Sequence, residues 1–195
     1  MADITKTGKD ITTSDGRTIS SQLHDEDGKA LIAVLSILYQ ERSKHYAPGC
    51  MYINEFGSNS DRLGHADVHC TAVDDILGIG CKNECTDISF DVKRVNDENA
   101  KSGKYSLNDT LKRHCLKDDG SYLQHHYTAF RLYDDGKITD RFLIVHSALL
   151  FDKVKPVAHV DKKDSSGKDS SYGLYSIEDI KQTLGKDFYL EIGLD

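Results

Sequence analysis

A histidine-bearing polar run leads into a cysteine at His65-Ala66-Asp67-Val68-His69-Cys70-Thr71-Ala72-Val73-Asp74-Asp75-Ile76-Leu77-Gly78, and this stretch holds the residues best able to do chemistry. Val73, Ile76 and Leu77 recur at helical spacing behind Cys70, and Gly78 is a stop signal. The spacing predicts a short helix with the cysteine in its first turn. Amide N–H groups and the macrodipole at a helix start favour the thiolate, which is the nucleophilic form. Such a nucleophile needs an imidazole base, supplied in cysteine hydrolases by a histidine distant in sequence. The alternative reading of Cys70 is a small buried hydrophobe.

Histidines occur where that base is needed. Two β-rich runs, His126 to Tyr133 and Arg141 to Phe151, flank Asp134-Asp135-Gly136-Lys137, an Asp-Gly turn of the hairpin kind. Pairing through that turn sets His125 opposite His146, and a one-residue bulge within 137–140 sets His126 there instead. Either register joins two histidines across the hairpin. His65, Asp67, His69, Cys70, Cys81 and Cys85 are the cluster with zinc-ligand side chains, at a spacing that fits no standard finger. No metal or cofactor is expected. Neither a Gly-x-Ser-x-Gly elbow nor a Gly-rich phosphate loop occurs.

The elements that must position these residues can be read around them. Residues 1–20 form a polar lead-in, and 21–195 form one domain. Asp25 or Asp27 can cap a helix to about Lys44, striped by Leu31, Val34, Leu35 and Leu38. Pro48-Gly49 ends it, and 50–64 reads as a surface loop. Ile88, Phe90 and Val92 alternate as a strand, and Ser106 with Asp109 has a capping-box pattern for a helix through Leu111 and Cys115. Residues 161–171 form a polar insertion, Ser176 and Asp179 cap a helix stopped by Gly185, and 188–192 is a last strand.

Composition bounds the function. A formal charge of −7, a pI near 5.7 and no basic stripe argue against nucleic acid as a partner. No apolar run approaches a membrane span, and no secretory signal pattern occurs, so synthesis in the cytoplasm with reduced thiols is expected. Five cysteines, Cys50, Cys70, Cys81, Cys85 and Cys115, cannot all pair within one chain.

A cysteine before an apolar helix, a histidine about 56 residues on that opens a β-hairpin, and a histidine on the returning strand resemble the papain-like cell-wall peptidases of the NlpC kind. His69-Cys70-Thr71-Ala72-Val73 is similar to that family's nucleophile segment. His126-Tyr127-Thr128-Ala129-Phe130 and Ile144-Val145-His146-Ser147 are similar to its histidine strands. His69 replaces the usual Asp before the cysteine, and Thr71-Ala72 replaces Ser-Gly. The resemblance implies an α+β papain-like fold with helices on a small antiparallel sheet, Cys70 as nucleophile, His126 as base and His146 as orienting residue. It further implies an amidase or endopeptidase acting on the peptide stem of peptidoglycan. With no export signal, that enzyme would be an antibacterial effector delivered to a target periplasm, for instance by a type VI system, with a cognate immunity protein as partner. The competing readings are a non-catalytic binding or immunity-type module with structural histidines, and a small zinc protein.

Overall fold

The leucine and valine stripe forms the longest element in the computed structural model, α1 (Ile19–Arg42), which begins earlier than expected. Thr18 Oγ1 accepts the Ser21 N–H at 3.1 Å, so the hydroxyl of Thr18 starts the helix and Asp25 and Asp27 lie inside it. The structure describes residues 6–7, 10–11, 18–42, 51–56, 58, 66–71, 77, 88–95, 103–109, 111, 115, 126–135, 137–163 and 169–194.

Ahead of α1, β1 (Lys6–Thr7) and β2 (Asp10–Ile11) form a small antiparallel ladder. The main sheet contains β3 (Met51–Ile53), β4 (Val68–Cys70), β5 (Ile88–Lys93), β7 (His126–Asp134), β8 (Lys137–His146) and β11 (Tyr189–Gly193). Its order is β11-β8-β7-β5-β4-β3, and β5 runs parallel to β7 while the other pairs are antiparallel. The sheet is therefore mixed, not antiparallel as expected. A parallel neighbour needs a long crossover, and residues 94–125 supply it. β6 (Lys104–Asn108) lies in that crossover and pairs with β10 (Asp169–Ser176), which pairs with β9 (Ala158–Lys163), in a second, antiparallel sheet. Helices α2 (Ser147–Lys153) and α3 (Ile177–Leu184) complete an α+β architecture.

Two cores lie on the two faces of the main sheet. Leu31, Val34, Leu35, Leu38 and Tyr39 of α1 pack on Val68, Cys70, Ile88, Phe90, Tyr127, Ala129, Phe142 and Ile144. At Gly28 the helix comes close enough to β3 that a Cβ would stand 3.0 Å from Ile53 Cδ1. On the opposite face Phe130, Leu143 and Val145 meet Tyr105, Leu107, Leu111, Cys115, Ala148, Leu150 and Ile180. β7 and the end of β8 are covered on both sides, which explains why burial is continuous along Tyr127–Arg131 and Phe142–His146 in place of alternating.

The hairpin turns where expected, with Asp135 left-handed at φ 45°, but its register differs. Tyr133 pairs Ile138, whereas Arg131 pairs Phe142, so Leu132 alone faces Thr139, Asp140 and Arg141. Side chains hold this bulge: Thr139 Oγ1 donates to the Leu132 carbonyl at 2.8 Å, and Arg131 Nε donates to the Thr139 carbonyl at 2.8 Å. The two extra residues set Tyr127 opposite His146, in place of His125 or His126. The second β run ends at His146, because Ser147-Ala148-Leu149-Leu150 turns into α2. β6 runs through the expected cap at Ser106, and helical residues begin at Asp109. Most of the expected insertion at 161–171 belongs to the β9–β10 ladder. α3 has the cap its sequence foretold, with the Asp179 N–H on Ser176 Oγ at 3.1 Å and Gly185 behind it at φ 78°. Among the described residues no helix is long and apolar enough to cross a membrane.

Candidate functional site

Period-two alternation along β7 sends His126, Thr128 and Phe130 to one face and Tyr127 and Ala129 to the other. Phe130 lies in the same core as Cys115, so His126 faces that second layer. His126 Nδ1 stands 2.8 Å from the Oγ of Ser147, the first residue of α2, and 3.7 Å from Cys115 Sγ. Ser147 Oγ is also 2.8 Å from Thr128 Oγ1. Cys115, Thr128 and Ser147 are fully buried and His126 is 7% exposed. On the neighbouring strand Asp91 pairs with Thr128 in the parallel register and accepts a 2.6 Å bond from Lys93 Nζ.

Burial, and after it the charge of Asp91, pushes the Cys115 thiol up to about 12, against a hydrogen bond with Ser147 that pulls it down. In this packing the sulfur is a thiol at neutral pH. With the ring proton on Nε2, the Nδ1 lone pair can take either the Ser147 hydroxyl or the thiol. The oxygen contact, at 2.8 Å, is the stronger of the two. Ser147 has a second partner in Thr128, so its hydroxyl can turn from the ring to Thr128 Oγ1 and leave Nδ1 to the sulfur. A thiol facing an imidazole nitrogen is the pairing that thiol catalysis uses.

The three residues expected to form a triad do not meet. Cys70 is the last residue of β4, so it lies in a strand and not in the first turn of a helix; residues 72–76 lie outside the described residues. Its side chain is buried against α1 with Tyr127 and Phe90. His146 is on that face too, with its ring edge-on to Tyr127 at 5.3 Å. It is three strands from Cys70, about 14 Å at the usual strand spacing. His126 is on the opposite face. His125 lies outside the described residues, as do His65, Cys50, Cys81 and Cys85 of the metal and disulfide readings. His69 alternates away from Cys70 and stacks on Tyr52 at 5.5 Å.

Sequence reasoning missed Cys115, Ser147, Thr128 and Asp91 as members of one cluster. The signals for them were weak but physical: Leu107, Leu111 and Cys115 recur every four residues, and His126 and Thr128 share a strand face. No protein-family model matches the chain, and no curated protein or solved structure matches it either.

Proposed function

We propose that this chain is a thiol hydrolase acting on an acyl group, amide or ester, with Cys115 as nucleophile and His126 as base. The observation that carries the reading is the 3.7 Å approach of Cys115 Sγ to His126 Nδ1. The thiol proton passes to Nδ1, sulfur adds to the carbonyl carbon, and the carbon–leaving-group bond breaks as the imidazolium returns the proton to the departing amine or alcohol. Water then hydrolyses the thioester. Because the thiol is buried, a substrate reaches it only after the side chains covering the Cys115–His126 pair part, with the pair itself kept together. The papain-like reading of the fold belongs to this proposal, supported by a thiol on a helical segment facing a histidine at the head of a strand. The order that resembles the NlpC peptidases rests on Cys70. With Cys115 as nucleophile, the peptidoglycan stem becomes one acyl substrate to assay among others.

The full burial of Cys115, Thr128 and Ser147 favours a second reading, a non-catalytic module in which the cluster only ties α2 and the crossover to the sheet. Site-resolved iodoacetamide alkylation of the folded protein near pH 6.5 separates the two. The hydrolase reading expects Cys115 to be modified well before Cys70, and His126→Ala to slow that modification. A Cys115 as inert as Cys70, or one that His126→Ala exposes and accelerates, establishes the structural role instead.

A further inference from the structure

A cavity of about 500 Å³ opens where β4 stops short of β5. β4 pairs only with Ile88, Ser89 and Phe90, while β5 continues to Lys93. His24, Asp27, Phe56, Asp67, Lys93 and Arg94 are among its lining. His24 uses both ring nitrogens there. Nε2 is 2.9 Å from the Asn54 carbonyl oxygen, and Nδ1 is 3.3 Å from Asp67 Oδ1, with the two side chains only 7% and 12% exposed. A backbone carbonyl accepts and never donates, and so does an ionised carboxylate. Burial raises the Asp67 carboxyl, but the His24 contact, Lys93 and the Val92 N–H on its other oxygen more than reverse that, so it is a carboxylate at neutral pH. Both contacts are hydrogen bonds at once only when both nitrogens of His24 carry hydrogen, that is, when the ring is an imidazolium.

The two acceptors sit at the two feet of the connection between β3 and β4. Asn54 N–H donates to the Asp67 carbonyl at 2.8 Å, and the Asn54 side-chain amide donates to the Ala66 carbonyl. Phe56, 43% exposed, sets its ring against His24 at 5.4 Å. We propose that protonated His24 is a pH-operated clamp that fastens both feet of this connection to α1 and releases them when the ring loses its proton. A neutral imidazole keeps one lone pair, and here that lone pair would point at an oxygen that cannot donate. The other charged groups lining the cavity are paired: Lys93 with Asp91 at 2.6 Å, and Arg94 with Asp27 at 2.7 Å. Asp67 is thus the carboxylate that sustains the ring's charge. A group charged by a partner in the folded state stabilises at low pH and loses that contribution as pH rises. The clamp is closed in acid and open in base, and it does not depend on the reading of Cys115.

Amide hydrogen exchange by NMR on the full chain between pH 5 and 8 tests it. Protection factors at Asn54, Asp67 and Val92, whose N–H groups are tied to this junction, should fall by about tenfold in one protonation step. Those at Phe130 and Leu143 should hold. Asp67→Asn should move the step to lower pH, and His24→Gln should abolish it. Flat protection in the native protein, or a step that persists in His24→Gln, overturns the clamp. Should His24→Gln fail to fold, the native ring decides: an imidazole that loses its proton in the same step supports the clamp, and one already neutral at pH 5 overturns it.

Discussion

Replacing Arg131 by methionine should unfold this protein at a temperature lower by roughly 6–12 °C. Arg131 is 5% exposed and fully engaged. Nη1 bonds Asp27 at 2.7 Å and Glu26 at 2.9 Å, Nη2 bonds Asp140 at 2.6 Å, and Nε holds the bulge through the Thr139 carbonyl. Burial pulls its pKa down, and the carboxylates of Asp27, Asp140 and Glu26 more than reverse that, so the guanidinium stays charged. Methionine keeps the apolar stem and removes the charge. Asp27, 6% exposed, is then left with Arg94 at 2.7 Å. Breaking a buried ion pair costs roughly 3–5 kcal/mol, and the surviving Arg94 contact places this case near the lower figure. At about 2–4 °C per kcal/mol for a chain of this size, about 3 kcal/mol gives the range above. Asp140→Asn is the control. Its side chain is 51% exposed, and an exposed pair is worth about 0–1 kcal/mol, so the loss should stay under about 4 °C. Calorimetry at neutral pH reads both. An Arg131→Met protein melting within about 2 °C of the parent, or an Asp140→Asn protein matching it, refutes the reasoning.

Burial alone would raise the pKa of Asp67, but His24, Lys93 and the Val92 N–H together hold it below its ordinary 3.8. A depressed carboxyl contributes stability above its unfolded pKa and loses it as pH falls through the folded one. The gap in urea midpoint between the parent and Asp67→Asn should therefore be full at pH 5 and close towards pH 2; a constant gap contradicts this. Gly28→Val should cost about 1–3 kcal/mol through overpacking against Ile53, while Gly28→Ala should lie near neutral, because helix propensity offsets the 3.0 Å contact. Equal urea midpoints for the two variants would show that α1 and β3 are not so close. Ser147→Ala should cost roughly 1–3 kcal/mol by stripping a partner from His126 and Thr128, read as a lower urea midpoint. An unchanged midpoint would show that the Ser147 hydroxyl does not hold the cluster together.

Much of the element inventory was legible because it rests on local pattern. The α1 stripe, the alternation of Ile88, Phe90 and Val92, the Asp-Gly turn, the Ser176 cap and the Gly185 stop are each written within a few residues. What depends on tertiary pairing was not. The bulge that sets Tyr127 against His146 is held by Arg131 and Thr139, whose partners lie across the hairpin. Asp27 has the type and position of a cap, yet it ends as the buried partner of Arg131, 104 residues away. The grouping of the candidate site residues was hidden for the same reason. Cys70 and His126 were joined by order along the chain, whereas strand alternation divides them between two faces, and Cys115 meets His126 through tertiary packing that no local pattern records.

Trapping the acyl intermediate tests the role of Cys115 most directly. The folded protein is incubated with p-nitrophenyl acetate, quenched in acid, and its cysteines mapped by mass spectrometry. A hydrolase built on the Cys115–His126 pair carries a transient acetyl thioester on Cys115 and loses it in His126→Ala. An acetyl group found on Cys70 instead, or no cysteine acetylated above the level of the unfolded chain, contradicts that assignment.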